Sequence, residues 1–139
     1  MKSLSLKLGV FFAGLAILSY SEVWGAGWRE FDRSDKEIRY YYVHSVKYPS
    51  DKIVRVWVKM EYTDKGLSEK IQKLGKNYEN LKYTMMEEEI NCSDKKWRKL
   101  SLHDYSKEGK VIYSSSRAGE WKRIDPSSMP EALCKAVSK

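Results

Sequence analysis

The chain has 139 residues, with 26 lysines and arginines against 19 aspartates and glutamates, and it contains two cysteines. It has no internal repeat and no low-complexity segment, so its length corresponds to one domain and excludes repeat architectures. The formal net charge of +7 favours anionic partners.

The N-terminus has the features of a secretory signal peptide. Lysines precede a short apolar run at residues 8 to 18, and Val23 and Gly25 occupy the −3 and −1 positions of a small-residue cleavage site. The run is too short to span a bilayer, and no cysteine near the cleavage site offers a lipid anchor. We therefore expect a signal peptide at residues 1–25 and a soluble, exported domain at residues 26–139.

An exported location changes the set of partners that the positive charge favours. Removing the signal peptide takes away two lysines and one glutamate, which leaves a net charge of +6. For a periplasmic, secreted or cell-surface protein, the expected anionic partners are acidic protein surfaces, lipopolysaccharide or acidic polysaccharide rather than nucleic acid.

The two cysteines have two interpretations, a reactive or metal-binding site and a disulfide bond. A zinc site requires closely spaced cysteine or histidine ligands, and neither His44 nor His103 has that spacing. In an exported domain of this size, Cys92 and Cys134 are therefore expected to pair with each other. On the chain-entropy account, closing a loop of this length stabilises the fold by about 4 kcal/mol.

The first strands are predicted from alternation. Residues 53 to 62 alternate between Val54, Val56, Val58, Met60 and Tyr62 on one face and mostly polar residues on the other, which is typical of a half-buried strand. Residues 37 to 46 are also rich in strand-forming side chains. The stretch at residues 47 to 52 contains Pro49, Ser50 and Asp51, which favour a turn, so the two segments predict an antiparallel hairpin.

A helix follows the hairpin. Leu67, Ile71, Leu74 and Tyr78 recur at helical spacing and form one apolar face. Gly75 is expected to end this helix.

The next segment, residues 81 to 92, returns to a strand pattern. Glu88 has the same parity as Met86 and Ile90, so its carboxylate is expected near the buried face. The surrounding run of glutamates is otherwise typical of a solvated sheet edge. Residues 96 to 105 and 110 to 116 then flank a glycine-containing loop and predict a second hairpin.

The C-terminal segment predicts a short helix. Asp125 and Pro126 end a strand, and Ser128 with Glu131 three positions later forms a capping box. The helix would carry Cys134 and be joined by it to the strand that ends at Cys92. The predicted class is therefore α+β: an antiparallel sheet of about five or six strands, a helix after the first hairpin, and a disulfide-pinned C-terminal helix.

Basic and aromatic residues after Cys92 form the candidate binding surface. Trp97 shares strand parity with Lys99, Ser101 and His103, which predicts that its ring lies on the more polar face. Cations around an exposed aromatic ring are suited to an anionic macromolecular partner. The predicted partner-binding residues, with the last three near Trp121, are Lys95, Lys96, Trp97, Arg98, Lys99, Arg117, Lys122 and Arg123.

No catalytic constellation is predicted. Ser101 and His103 alternate with Asp104 along a strand, so the three side chains cannot converge. Neighbouring glutamates in a strand point to opposite faces, and the sequence has neither a glycine-rich phosphate loop nor a metal triad. The chain is expected to be a binding protein without a cofactor and not an enzyme.

Three segments together resemble a known family: residues 54–62 with their Trp-Val-Lys strand, residues 88–112 with a Tyr-x-x-x-Gly hairpin, and residues 120–135 with Trp-x-x-Ile-x-Pro-x-Ser. The chain is similar to the surface-adhesin protein E-like domain of bacteria from residue 28 to residue 134. The resemblance implies an exported, disulfide-stapled α+β domain without catalytic activity, in a family whose namesake adhesins bind host matrix proteins.

Two other functions stay open from the sequence. One is a periplasmic carrier of a small ligand such as haem, with His44 or His103 as the axial ligand. The other is a structural component of an envelope complex.

Overall fold

The computed structural model describes residues 27–138, so the predicted signal peptide lies outside the described residues. Within this range one sheet contains eight strands, and two helices accompany it. The strands are β1 (Trp28–Arg33), β2 (Glu37–Tyr42), β3 (Lys47–Ser50), β4 (Ile53–Tyr62), β5 (Leu81–Asn91), β6 (Lys96–Ser106), β7 (Val111–Ser115) and β8 (Lys122–Arg123). The helices are α1 (Asp64–Leu74) and α2 (Met129–Val137).

The sheet is antiparallel, with the strand order β1-β2-β4-β5-β6-β7. The short strand β3 pairs with β4 on the same side as β2, and the two-residue strand β8 pairs with β6 on the same side as β7. The predicted α+β class is confirmed. The strand count exceeds the prediction, because short edge strands such as β8 have too few residues to show an alternation.

The predicted pairing of β2 with β4 is confirmed, but the link between them differs from the prediction. A 3-10 turn at Val43–Ser45 leads into β3, and the chain reverses only at residues 51 and 52. Pro49 lies within β3, where it is exposed. Proline lacks an N–H donor and is tolerated at a sheet edge, so it does not have to mark a turn.

The hydrophobic core lies between α2 and one face of the sheet. Val56 and Val58 of β4 and Ile90 of β5 are completely buried there, together with Leu133 of α2. The alternation of β4 directs Val56 and Val58 to this face, as predicted. Burial of each such side chain contributes roughly 1.5–3 kcal/mol.

Local signals determine the ends of both helices. The Gly66 N–H donates to the Thr63 hydroxyl at 3.2 Å at the start of α1, and Gly75 ends this helix with φ +107°, a conformation that favours glycine. The Glu131 N–H donates to the Ser128 hydroxyl at 3.4 Å at the start of α2. The predicted C-cap of α1 and N-cap of α2 are both confirmed.

Cys92 and Cys134 form a disulfide bond, with their Cα atoms 5.8 Å apart, as predicted. Both cysteines pack against the hydrophobic core. The bond therefore joins α2 to the turn that follows β5. Within residues 27–138, neither helix has the length and apolar character needed to cross a membrane.

A bulge in β6 reverses which side chains of that strand point towards the core. Glu87 pairs with Ser101 and Glu88 pairs with Lys99, so Leu100 is an extra residue without a partner on β5. Residues before the bulge therefore have the opposite parity from residues after it. The prediction that Trp97 lies on the more polar face is wrong, because its ring is half-buried and packs against the hydrophobic core.

Candidate functional site

A cleft of about 480 Å³ lies beside the turn between β5 and β6. Lys95 and Lys96 line it from the turn and the start of β6, and Trp121, Lys122 and Arg123 line it from the opposite side. Ser93 and Asp94 complete its lining. We call this cleft, with its four cations and one indole ring, the basic cleft.

Backbone pairing fixes the two sides of the basic cleft relative to each other. Lys96 lies opposite Arg123 in the β6–β8 ladder. One residue further on, the Ile124 N–H donates to the Lys95 carbonyl at 2.9 Å. The disulfide bond holds the start of the same turn at Cys92. The cations are therefore attached to a rigid frame, which reduces the conformational entropy lost on binding.

The turn that carries Lys95 is itself ordered. The Asp94 N–H donates to the Asn91 side-chain oxygen at 2.9 Å, and the Asn91 amide donates to the Asp94 carboxylate at 3.2 Å. Lys95 has φ +56°, in the left-handed region that glycine and asparagine adopt more readily. A lysine in this conformation costs stability relative to glycine.

The four cations of the basic cleft are not neutralised by the described part of the chain. Within residues 27–138, none of Lys95, Lys96, Lys122 and Arg123 forms an ion pair. The one acidic residue in the lining, Asp94, is engaged with Asn91. The cleft is therefore a concentrated positive charge that is open to solvent.

Arg98 holds the tryptophan of the basic cleft in place. Its guanidinium lies 4.8 Å from the centre of the Trp121 ring and pairs with the Glu89 carboxylate at 2.9 Å. Arg55 binds the other oxygen of Glu89 at 2.7 Å. Arg98 was predicted to contact a partner; in the structure its charge is paired with Glu89 and its guanidinium lies over the Trp121 ring.

The remaining predicted residues do not line the basic cleft. Trp97 packs against the core with Lys122 above its ring, 5.9 Å from the ring centre. Lys99 is half-buried and lies opposite Glu88 in the β5–β6 ladder. Arg117 is exposed in the connection between β7 and β8. The structure thus brings together four of the eight predicted residues.

Ser93 and Asp94 were missed by the sequence analysis. Their position between Cys92 and the basic run was visible in the sequence, but only the cations were selected. Both line the basic cleft beside Lys95.

Glu88 and Glu89 are neighbours in β5, and their pKa values are shifted in opposite directions. Burial raises the pKa of Glu88 to about 8, against the opposing effects of the Arg39 and Lys99 charges, and neither carboxyl oxygen has a hydrogen-bond partner in the described residues. Burial also acts to raise the pKa of Glu89, but hydrogen bonds from Arg55 and Arg98 outweigh it and lower that pKa.

The predicted location of Glu88 near the buried face is confirmed. The interpretation of the acidic run as a solvated edge is wrong for Glu88 and Glu89, because both are buried. β5 lies between β4 and β6 in the interior of the sheet.

The two histidines lie in different places. His103 lies between the rings of Trp57 and Tyr105, and its Nδ1 is 2.6 Å from the Ser114 hydroxyl. His44 is exposed and contacts the Tyr42 ring. In the described part of the chain, no three histidine, cysteine or acidic side chains cluster in a way that could hold a metal ion.

Comparison with protein families matches the surface-adhesin protein E family model to residues 28–137. The chain belongs to the surface-adhesin protein E family. The predicted resemblance is therefore confirmed over most of the chain. Membership in the surface-adhesin protein E family suggests an adhesin-like, non-enzymatic binding role and implies an exported or surface protein. Comparison with curated proteins gives no match, and comparison with solved structures gives none either.

Proposed function

We propose that this protein is an exported, non-catalytic binding domain that engages an anionic macromolecular surface through the basic cleft. The observation that carries the proposal is the convergence on one rigid cleft, beside Trp121, of four cations that form no ion pair with the described residues. Clustered cations attract an anionic surface and orient it during encounter. Family membership supports a binding role.

Trp121 supplies the apolar part of the contact. It is 37% exposed, although it is a large ring that normally stabilises a protein by being buried. Arg98 fixes one side of the ring, so little side-chain entropy is lost when a partner packs against the other side. Aromatic rings in such positions are frequent hot spots of interfaces.

The chemistry of the cleft favours sulfate, phosphate or carboxylate groups. Lysine ammonium groups act as point charges, whereas the Arg123 guanidinium donates two parallel hydrogen bonds to such groups. An acidic polysaccharide, lipopolysaccharide and an acidic protein present these groups in different arrays. The proposal concerns their shared anionic chemistry, and the binding test distinguishes the sources.

The test compares two fourfold variants that lose the same charge. The first changes Lys95, Lys96, Lys122 and Arg123 to alanine, and the control changes the exposed residues Lys73, Lys76, Lys107 and Lys110 to alanine. Binding is measured on immobilised sulfated polysaccharide, lipopolysaccharide, anionic vesicles and an acidic protein. The unmodified protein should bind at least one of these ligands. We expect the cleft variant to lose at least tenfold in affinity for it and the control variant to lose no more than about twofold.

Salt gives a second measurement. Exposed charges are screened over about 8 Å at physiological ionic strength, so binding through the basic cleft should weaken steeply as salt rises. The cleft variant should show a much shallower salt dependence than the control variant. Equal losses in both variants would attribute the effect to net charge alone and refute the proposed site.

A further inference from the structure

A second cleft lies between α1 and the sheet, near the end of β6 that is farther from the basic cleft. Its volume is about 470 Å³, within the range of small-molecule sites. Tyr62, Tyr78 and Tyr113 line it together with apolar side chains, and the charged residues Asp104 and Lys70 lie in the same lining. We call it the tyrosine cleft.

Asp104 has a buried carboxylate. Among the described residues, its side-chain hydrogen-bond donors are hydroxyl groups. Its residue is 8% exposed. The Thr84 hydroxyl donates to one carboxylate oxygen at 2.5 Å, and the Tyr78 hydroxyl donates to the other at 3.1 Å. Within residues 27–138, no lysine, arginine or histidine forms an ion pair with it.

The direction of the hydrogen bonds around Thr84 follows from the number of hydroxyl protons available. Thr84 has one hydroxyl proton, and Asp104 accepts it. The Tyr62 hydroxyl, 2.6 Å from the Thr84 oxygen, must therefore donate to Thr84. The hydroxyl protons of Tyr62, Thr84 and Tyr78 are all directed towards the Asp104 carboxylate. These side chains therefore offer hydrogen-bond acceptors to the cleft and no free hydroxyl donor. A ligand that contacts it has to be a donor.

The Asp104 carboxylate also has no ion-pair partner within residues 27–138. Burial, followed by the negative charge of Asp104, raises the pKa of Tyr78 to about 12, so this hydroxyl stays a donor and does not add a second charge. A buried carboxylate without a cationic partner is costly unless an opposite charge approaches it. Lys70 also lines the cleft, but its ammonium lies over the Tyr62 ring and forms no ion pair with Asp104 among the described residues.

The walls of the cleft suit an ammonium group on an apolar body. The Lys70 ammonium already lies 5.5 Å from the centre of the Tyr62 ring, so a ring of this cleft has a cation over its face. Leu74 and Tyr113 are 49% and 51% exposed and give the cleft an apolar rim. Their exposure is accounted for if a ligand covers them.

We propose that the tyrosine cleft binds a small organic amine, with the ammonium group paired to Asp104 and the apolar body between Leu74 and Tyr113. The amine donates hydrogen bonds to the carboxylate, and the tyrosine faces contact the positive charge. This site is separate from the basic cleft and has the opposite charge preference. The protein then carries a site for anions near one end of β6 and a site for cations near the other.

The experiment uses 2-phenylethylamine as the probe, with 2-phenylethanol and 3-phenylpropionate as matched neutral and anionic controls. Titration followed by calorimetry and by amide chemical shifts gives the affinity and the location. We expect the amine to shift the amides of residues around Leu74, Asn77 and Tyr113. The alcohol and the acid should bind at least tenfold more weakly. Equal binding of alcohol and amine, or shifts away from the cleft, would overturn the proposal.

Variants test the named residues. Asp104→Asn keeps the shape and removes the charge, and it should abolish the preference for amine over alcohol. Tyr113→Ala removes an exposed rim residue, so the fold should stay intact while amine affinity falls several-fold. Tyr48→Ala, at a 64% exposed tyrosine elsewhere, is the matched control and should change nothing. If Asp104→Asn does not fold, Tyr113→Ala decides the question, and unchanged amine affinity in it would refute the site.

Discussion

Lys96 and Arg123 lie directly opposite each other across the β6–β8 ladder, so two positive side chains share one cross-strand position. Like charges at such a position destabilise a sheet, and opposite charges there contribute roughly 0.2–1 kcal/mol. Selection for stability alone would not place them together. The pair is accounted for if an anion bound in the basic cleft neutralises both charges.

The first prediction concerns this pair. Lys96→Glu replaces a repulsive pair with an attractive one, so the free energy of unfolding should rise by up to about 1 kcal/mol, measured by urea denaturation. Binding to the anionic ligand should fall at least tenfold in the same variant. Lys107→Glu, at an exposed lysine in the β6–β7 loop, makes the same charge change and should affect neither quantity strongly. A variant that is more stable and still binds normally would contradict the proposed site.

The second prediction separates the two tryptophans. Trp97→Ala removes a ring that packs against the core, and it should lower the free energy of unfolding by about 3 kcal/mol. Trp121→Ala removes a more exposed ring, so stability should change by no more than about 1 kcal/mol while binding weakens. Chemical denaturation and the binding assay together test both statements. The prediction fails if Trp121→Ala binds like the unmodified protein.

The third prediction concerns the buried carboxyl of Glu88. Its pKa in the folded protein is about 8, above the ordinary value of 4.5, so the folded state holds this proton more tightly than the unfolded state does. The contribution of this group to stability is therefore complete below about pH 4.5 and is lost as the pH rises towards 8, by about 1.4 kcal/mol for each pH unit. In Glu88→Gln this loss should disappear.

The measurement is urea denaturation of Glu88→Gln and the unmodified protein at several pH values between 5 and 9. The two proteins should diverge as the pH rises, with the glutamine variant the more stable at pH 9. Glu87→Gln, at the half-buried neighbour in the same strand, is the control. Parallel stability profiles for the unmodified protein and Glu88→Gln would show that Glu88 does not titrate in this window.

The fourth prediction concerns the disulfide bond. Replacing both Cys92 and Cys134 by alanine should lower the free energy of unfolding by about 4 kcal/mol, because the bond closes a loop across most of the C-terminal half. Reduction of the unmodified protein with dithiothreitol should give a similar loss. A decrease below about 1 kcal/mol in both experiments would contradict the stabilising role. The turn that carries Lys95 should also lose order, which amide hydrogen exchange would detect.

Local sequence signals predicted much of this fold. The alternation of β4, the Ser128 cap and Gly75 all act over a few residues, so their effects can be read without knowing the rest of the structure. The pairing of Cys92 with Cys134 was predictable because no competing partner exists in the sequence. These features depend on residue type and spacing alone.

The facing of Trp97 was not predictable from the same signals. It depends on the bulge at Leu100, and a bulge is a mismatch between two strands that neither strand shows by itself. The basic cleft was predicted in part, since its cations were identified but its boundary depends on the pairing of β8 with β6. The tyrosine cleft was missed because Tyr62, Thr84 and Asp104 are far apart in the sequence and none belongs to a motif.

The extra residue in β6 gives this strand a position that the ladder with β5 does not need. An in-frame deletion of the Leu100 codon would remove the bulge without changing any charged or aromatic residue. Lys99 would then directly precede Ser101, so a regular ladder would keep Trp97 opposite Ile90 and Arg98 opposite Glu89. The pairing of β6 with β8 that frames the basic cleft would therefore be kept, and Leu100 is a position in β6 whose loss the sheet can absorb.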